Sequence, residues 1–353
     1  MSRSLLATAL ASALALPLAA PFVHAAPVRE ELRVVSGDDL ELAVRRVVDD
    51  AAPRTAGPLL LVHGARVGSV PSFDVDVEGY SLVEDLARAG HTVYLADVRG
   101  FGRSDYPHSM TGDRFGQAPA VPTSEAVEDL AAVLETLRAR HLGEPIAALG
   151  WATGSHWLAA TAAAHPDAID RLVVYNGVYG GEGDWPLTDT FSADGEPGTF
   201  DLERFGAWRL SDAESLVGRW TEADAVSDAF VARYVGLAMA GDPTATERDP
   251  VAFRHPSGPI ADTLSAVHEG PLYDASQIEA DVLILRSGDD FWSRPVDVET
   301  MRADLSSAAS VAVHEMPGAS HYVHLEPGEG RDRFVELVLD FAADGALDES
   351  EAS

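Results

Sequence analysis

The chain of 353 residues contains no cysteine and no lysine. Without cysteine, disulfide frameworks and thiolate metal sites are excluded. Without lysine, all 25 basic residues other than histidine are arginine, and 57 acidic residues bring the formal charge to −32. A surface this acidic repels nucleic acid and anionic membranes, so neither is expected as a partner. It also stays hydrated at high salt, and the composition resembles that of proteins from salt-loving organisms.

Long apolar runs are scarce as well, and the longest lies at the very start of the chain. Arg3 precedes an apolar run over residues 5–20, and small residues stand at positions 23 and 25. This pattern predicts a secretory signal peptide over residues 1–25, with export to the medium or the periplasm. A membrane anchor is the alternative, but the run is short and Pro17 breaks it. No later segment is predicted to span a membrane.

Apolar β-rich runs alternate with helical patterns after the predicted signal. The runs are almost continuously apolar, which is typical of strands buried on both faces of a parallel sheet. A β-hairpin around residues 37–39 comes first. The later predicted strands lie at 58–64, 91–100, 145–150, 171–177, 280–288 and 310–318. The predicted helices lie near 81–90, 124–141, 154–165, 296–305 and 329–344. This alternation predicts a mostly parallel, doubly wound α/β domain.

One interval, residues 180–276, interrupts the alternation because it contains no strong strand run. Its beginning has the composition of a loop, and residues 202–239 show scattered helical periodicity. We therefore expect a helical cap inserted between two parts of the core. The predicted division is a signal peptide at 1–25, core at 26–179, helical cap at 180–276, core at 277–345 and an acidic tail at 346–353.

Chemically useful residues follow the predicted strand ends. The stretch GWATG at residues 150–154 has the frame of the strand-to-helix turn G-x-S-x-G, with alanine at its centre. His63 and Gly64 end one strand, Asp289 and Asp290 follow another, and His321 follows the last strand. Because the carboxyl ends of parallel strands lie at one edge of a sheet, we expect these segments to converge there.

These segments, in this order, resemble the α/β-hydrolase superfamily in its cap-bearing branch, over roughly residues 30–345. The resemblance implies the order nucleophile, acid and histidine. In this chain the order falls on Ala152, Asp290 and His321. Asp290 is preferred to Asp289 as the acid because aromatic residues follow it directly, as in relatives.

The resemblance also assigns roles to the residues around Ala152. Gly150 and Gly154 flank a sharp turn that leaves no room for side chains. The backbone amides of Thr153, at a helix N-terminus, and of Ala65 are implied as the donors of an oxyanion hole. Both donors are main-chain groups, so alanine at position 152 does not remove the hole.

Alanine carries no nucleophile, so no covalent intermediate can form on residue 152. The same argument excludes the aspartate-dependent attack of the haloalkane dehalogenase and epoxide hydrolase branches. Thr153 and Ser155 carry nearby hydroxyls, but a normal elbow turns Thr153 away and Ser155 lies in the first helical turn. Three functions remain open. The first is an enzyme that uses the His–Asp pair as general base without a serine, either to activate water for hydrolysis or to deprotonate a carbon acid beside a carbonyl, as lyases and isomerases do. The others are a ligand-binding relative without turnover, and a serine hydrolase with an inactivating Ser→Ala change.

The substrate is constrained only by the residues beside these motifs. Four aromatic residues predict a mostly apolar pocket for a small carbonyl or ester-like substrate or ligand, although they are equally consistent with ordinary core packing. They are Trp151, Phe291, Trp292 and Tyr322. Neither a phosphate-binding glycine loop nor a metal-ligand spacing occurs, so no cofactor and no metal are expected. The oligomeric state is left open.

Overall fold

An eight-stranded sheet forms the centre of the computed structural model, which describes residues 25–54, 56–218 and 225–345. Apart from residue 25, the predicted signal peptide lies outside the described residues, as does the predicted acidic tail. The described strands are β1 (Val28–Val35), β2 (Glu41–Val48), β3 (Pro58–Val62), β4 (Thr92–Ala96), β5 (Ala147–Trp151), β6 (Arg171–Tyr175), β7 (Ser192–Ala193), β8 (Glu196–Phe200), β9 (Trp208–Asp212), β10 (Ala252–Pro256), β11 (Asp281–Ser287) and β12 (Ser310–Met316).

Helices connect most of these strands. The described α-helices are α1 (Ser69–Phe73), α2 (Leu82–Arg88), α3 (Thr123–Arg140), α4 (Thr153–Ala164), α5 (Thr188–Phe191), α6 (Leu202–Phe205), α7 (Ala213–Val217), α8 (Asp228–Gly241), α9 (Gly258–Glu269), α10 (Pro295–Asp304) and α11 (Glu329–Asp344). Within the described ranges, none of them is both long and apolar enough to cross a bilayer.

The large sheet has the order β1-β2-β4-β3-β5-β6-β11-β12. The pairs β1–β2 and β2–β4 are antiparallel, and the remaining neighbours are parallel. The predicted hairpin and the predicted mostly parallel, doubly wound sheet are therefore confirmed. The chain crosses from β3 to β4 on one side and later adds β5 on the other side of β3. Such a reversal opens a crevice at the carboxyl ends of the two strands, where ligands bind in open α/β sheets.

The strands at the centre of the sheet are apolar because helices cover both faces. All five residues of β3 are buried, and alternate side chains enter two different core clusters, Leu60 and Val62 on one face, Leu59 and Leu61 on the other. Helices α3 and α4 cover the first face, and α2 and α11 cover the second. This burial on both faces explains why the strand runs lack polar alternation.

The insert between β6 and β11 is only partly helical. It contains α5 to α9, but also two antiparallel ribbons, β7–β8 and β9–β10. The prediction of a helical cap is wrong for β9, which lies inside the range 202–239 where the sequence shows scattered helical periodicity. This strand is five residues long and pairs with β10 about 40 residues further along the chain, in the register Arg209↔His255. A short strand whose partner is this distant gives little local signal.

Aromatic stacking and buried charges attach the insert to the core. The rings of Tyr80 and Phe230 stack with their centroids 4.4 Å apart. The buried carboxylate of Asp242 accepts a hydrogen bond from Arg254 Nη2 at 2.8 Å, and Arg254 Nη1 donates to the carbonyl of Met110 at 3.1 Å. Burial acts to raise the pKa of Asp242, but the hydrogen bonds from Arg254 and Thr244 outweigh it and hold this pKa below its ordinary value.

Candidate active site

The turn between β5 and α4 has the strained backbone expected of the elbow. Ala152 has φ 53° and ψ −116°, a region that residues other than glycine rarely occupy. A Cβ on Gly150 would lie 2.3 Å from the backbone of Gly154, and a Cβ on Gly154 would lie 2.3 Å from the carbonyl oxygen of Val62. Both glycines are therefore required by close backbone approach, and the turn holds the methyl group of Ala152 at the carboxyl edge of the sheet.

The segment that follows β3 lies against this turn. A Cβ on Gly64 would be 3.5 Å from the Cβ of Ala152. Ala65 and Ala152 both border the same cavity, and Thr153 is the first residue of the 12-residue helix α4. In the described part of the chain, no hydrogen bond occupies the amide of Ala65 or Thr153. Two free amides next to Ala152, one at a helix N-terminus, can stabilise a developing oxyanion.

A buried imidazole–carboxylate pair lies beside the elbow. His321 Nδ1 is 2.6 Å from Asp290 Oδ1, and both side chains are almost inaccessible to solvent. The Asp290 carboxylate also accepts hydrogen bonds from the amides of Trp292 at 3.0 Å and Ser293 at 2.8 Å. Burial acts to raise the pKa of Asp290, but the nearby His321 and these hydrogen bonds outweigh burial and lower this pKa. The carboxylate therefore stays ionised, and the Nε2 of His321 remains available to the cavity.

The structure places the alternative residues elsewhere. Asp289 is exposed, and its amide donates to the carbonyl of Ala319. The hydroxyl of Ser155 lies 2.7 Å from the carbonyl oxygen of Gly150 and 2.8 Å from that of Tyr175. Neither Ser155 nor Thr153 is among the residues that line the cavity. Neither hydroxyl is therefore positioned to replace a serine at residue 152.

The main chain of His321 is fixed by three donors from neighbouring strand ends. Its carbonyl oxygen accepts from Trp151 Nε1 at 3.2 Å, from the Tyr175 hydroxyl at 3.2 Å and from Asn176 Nδ2 at 3.4 Å. Asn176 Oδ1 in turn accepts from the amide of Ser287 at 2.7 Å, so this side chain joins the ends of β6 and β11 to the histidine loop. Sequence analysis missed Asn176. The available signal was an Asn-Gly pair after a strand, which is typical of a residue at positive φ.

A cavity of about 610 Å³ lies between these residues and the insert. We call residues 150–154, Asp290 and His321 the floor of the site, of which Trp151, Ala152 and His321 line the cavity, and we call the insert residues Arg209, Ser211 and His255 its roof. The four aromatic residues named from the sequence all line the cavity. Three of them pack around the imidazole of His321, with ring centroids 4.6 Å away for Phe291 and 5.0 Å away for Trp151 and Tyr322.

The polar part of the lining is cationic, which the sequence analysis did not predict. Four arginines line the cavity, namely Arg66, Arg114, Arg204 and Arg209. No aspartate or glutamate is among the described residues that line it. In a chain of charge −32 this is a local reversal of sign. No group of side chains in the described ranges is arranged to hold a metal ion.

Comparison with known proteins assigns the family. The model of the alpha/beta hydrolase fold family matches residues 57–327, so the chain belongs to this family. An 80-residue segment is 40% identical to a haloalkane dehalogenase from Psychrobacter cryohalolentis, and that segment is 23% of this chain and 23% of the dehalogenase. These matches confirm the superfamily that the motifs indicated.

Solved structures show the same fold over most of the chain. An E-2-(acetamidomethylene)succinate hydrolase has a TM-score of 0.58 at 20% identity, covering 89% of this chain and 99% of its own. A putative aryl esterase from Burkholderia cenocepacia has a TM-score of 0.58 at 15% identity, covering 90% and 99%. A serine-to-alanine mutant of the meta-cleavage product hydrolase from Pseudomonas fluorescens IP01, complexed with acetates, has a TM-score of 0.56 at 16% identity, covering 89% and 98%.

Proposed function

We propose that this protein is a secreted hydrolase that uses His321 and Asp290 as a general base and has no covalent nucleophile. Its substrate is a small carbonyl or ester-like compound bound above Ala152. The observation that carries the proposal is the intact hydrogen bond of 2.6 Å between His321 Nδ1 and Asp290 Oδ1 beside an elbow without a hydroxyl. Secretion rests on the signal-like sequence of residues 1–25.

The reaction would begin with a water molecule next to the methyl group of Ala152. His321 Nε2 takes a proton from this water while the water oxygen adds to the carbonyl carbon of the substrate. The carbonyl oxygen becomes an oxyanion that the amides of Ala65 and Thr153 stabilise. The imidazolium, whose positive charge the Asp290 carboxylate stabilises, then returns the proton to the leaving oxygen as the bond to carbon breaks. The products are an acid and an alcohol, and the enzyme is unchanged.

The expected rate enhancement is modest but measurable. An oxyanion hole and substrate binding alone retain about 10³–10⁴-fold catalysis when members of a serine-hydrolase triad are removed. A well-placed general base contributes about 10²–10⁴-fold. Together these effects suit an activated ester far better than an unactivated amide.

Two alternatives use the same geometry. In the first, the protein binds a ligand in this cavity and does not turn it over, which would explain why residue 152 lacks a hydroxyl group. In the second, the parent enzyme is a conventional serine hydrolase, and alanine at position 152 is an inactivating change.

Hydrolysis of short p-nitrophenyl esters tests the proposal. We expect slow turnover by the parent protein and loss of that turnover in His321→Ala. We expect Ala152→Ser to raise the rate by at least about 10³-fold, because the added hydroxyl completes a triad whose nucleophile contributes that much or more in serine hydrolases.

The outcomes separate the three functions. If the parent turns over no ester and His321→Ala alters only ligand affinity, the catalytic proposal is wrong and the binding protein remains. If Ala152→Ser gains no esterase activity, the oxyanion hole and the His–Asp pair are not assembled for acyl chemistry. If Ala152→Ser has the rate of an ordinary esterase and the parent protein is wholly inactive, the result supports a conventional serine hydrolase that alanine at position 152 has inactivated.

A further inference from the structure

The roof contains a cation that nothing in the described protein neutralises. Arg209 forms no ion pair with a carboxylate among the described residues, and its buried Nε has no hydrogen-bond partner there. Its guanidinium lies over the ring of Phe191, with the guanidinium carbon 5.5 Å from the centroid. Buried charges in proteins are normally paired, so an unpaired one that lines a cavity indicates a missing partner.

The ribbon β9–β10 fixes where this guanidinium is presented. Arg209 pairs directly with His255, and Ser211 follows two residues later on the same face of β9, so all three line the cavity. The Ser211 hydroxyl accepts from Arg66 Nε at 3.1 Å and lies 3.0 Å from His255 Nε2. Arg66 Nη2 also donates to the carbonyl of Ser215 at 2.7 Å. These neighbours bond to one another, and Arg209 is left out of the network.

Electrostatics in the roof make Arg209 receptive to an anion. Burial, followed by the charge of Arg66, lowers the pKa of Arg209 to about 9, so the side chain is still charged at neutral pH. Burial lowers the pKa of His255 well below its ordinary value, and the charges of Arg209 and Arg66 act in the same direction. His255 is therefore neutral and adds no second titrating charge. An anion placed against Arg209 therefore meets a charged guanidinium beside a neutral imidazole.

We propose that the substrate of this site carries a carboxylate, separate from the reacting carbonyl, which forms an ion pair with Arg209. A guanidinium presents parallel N–H donors that fit a carboxylate in a two-point contact. The aromatic lining accommodates the apolar body that joins the carboxylate to the carbonyl held over the floor. The substrate class is therefore a small acid bearing an ester or similar acyl group. This inference rests on the proposed function only in placing the substrate in this cavity.

Binding of simple carboxylates tests the inference without requiring catalysis. Calorimetric titration of the full chain would compare benzoate with benzamide and acetate with acetamide, with inorganic phosphate as a further probe. For each carboxylate that binds saturably, we expect a dissociation constant about 10- to 100-fold lower than that of its neutral amide. This is the range expected for a charge-assisted hydrogen-bonded contact. Arg209→Gln should abolish the difference, and Arg209→Lys should retain part of it.

Arg302→Gln is the matched control, because Arg302 is exposed on α10 and the variant has the same net charge as Arg209→Gln. This control should keep the full preference for carboxylates. The inference is overturned if no carboxylate binds saturably, if amides bind equally well, if phosphate binds more tightly than every carboxylate, or if a folded Arg209→Gln keeps the preference. Ester turnover is measured separately, so carboxylate binding without turnover would refute the proposed function alone.

Discussion

The floor and the roof of the cavity differ in how their polar groups are satisfied. On the floor, the Asp290 carboxylate accepts from His321 and from two backbone amides, and the histidine carbonyl accepts from three side chains. On the roof, Arg209 carries a charge without any such partner in the described protein. The polar groups of the floor are held in place by partners within the protein, as a preorganised reaction site requires. The unpaired charge of Arg209 on the roof is left to be neutralised by a bound ligand. Under the proposed function, the chemistry therefore belongs to the core, and under the further inference the recognition of the substrate belongs to the insert.

The largest expected effect is on stability, and it compares one added methyl group on the rigid floor with one added methyl group on the insert. Gly154→Ala places a Cβ 2.3 Å from the carbonyl oxygen of Val62, so we expect a loss of more than about 4 kcal/mol or failure to fold. Gly236→Ala in α8 is the control, because that Cβ meets nothing within 4 Å. It should stabilise the protein by about 0.5–1 kcal/mol through helix propensity. Urea unfolding of both variants measures the difference, and equal stabilities would contradict the rigid floor.

The next effect concerns activity and compares two adjacent carboxylates. Asp290→Asn removes the acceptor that fixes the tautomer of His321, and we expect ester turnover to fall by about 10²–10⁴-fold. Asp289→Asn changes the charge equally but touches neither the imidazole nor the cavity, so the rate should stay within about twofold of the parent. Steady-state rates on one activated ester check both values. Loss of activity in Asp289→Asn instead would reverse the assignment of the acid.

An intermediate effect tests the attachment of the insert. Asp242→Asn leaves the buried ends of Arg248 and Arg254 without their shared carboxylate, which we expect to cost about 3 kcal/mol of folding free energy. The folded-state pKa of Asp242 lies below its ordinary value of 3.8, so its stabilisation is complete at neutral pH and is lost as the pH falls below about 4. Between pH 6 and pH 2, the free energy of unfolding should fall less in the variant than in the parent protein. A parallel pH profile for both proteins would contradict this role.

The smallest effect is a gain in stability on the roof. Arg209→Met removes an unpaired charge and keeps much of the side-chain volume, so the ligand-free protein should become more stable by about 1 kcal/mol. Arg302→Met, which removes an exposed charge, should stay within about 0.5 kcal/mol of the parent. Thermal unfolding without added anions makes the measurement. A clear loss of stability in Arg209→Met would show that Arg209 serves the packing of the insert.

The floor was predictable because each of its residues is adjacent to a strand with an unmistakable apolar pattern. GWATG begins at the end of β5, the aspartate pair follows β11 and His321 follows β12, so the order of strands brings them to one edge. The choice of Asp290 over Asp289 came from the resemblance to the α/β-hydrolase superfamily, in which aromatic residues follow the acid. Asn176 was missed because its role depends on the register of β6 against β11, which no local pattern encodes.

The roof was not predictable for a different physical reason. The alternation of Trp208 and Leu210 with Arg209 and Ser211 covers too few residues to be distinguished from helical periodicity. Its meaning depends on pairing with β10, and the cost of closing such a long loop is repaid only by contacts that a sequence does not display. The net charge of −32 also pointed away from a cationic cavity, because an average over the surface carries no information about a concave interior.

Three hydrogen bonds to the carbonyl of His321 hold this histidine in place, and none of them comes from the side chain of residue 152. Trp151, Tyr175 and Asn176 hold the loop through groups that remain when the elbow side chain changes. A serine oxygen could therefore disappear during evolution, or return by a single substitution, while the imidazole stayed where it is. The position of the imidazole is therefore set by the strand ends around it and does not depend on which side chain occupies residue 152.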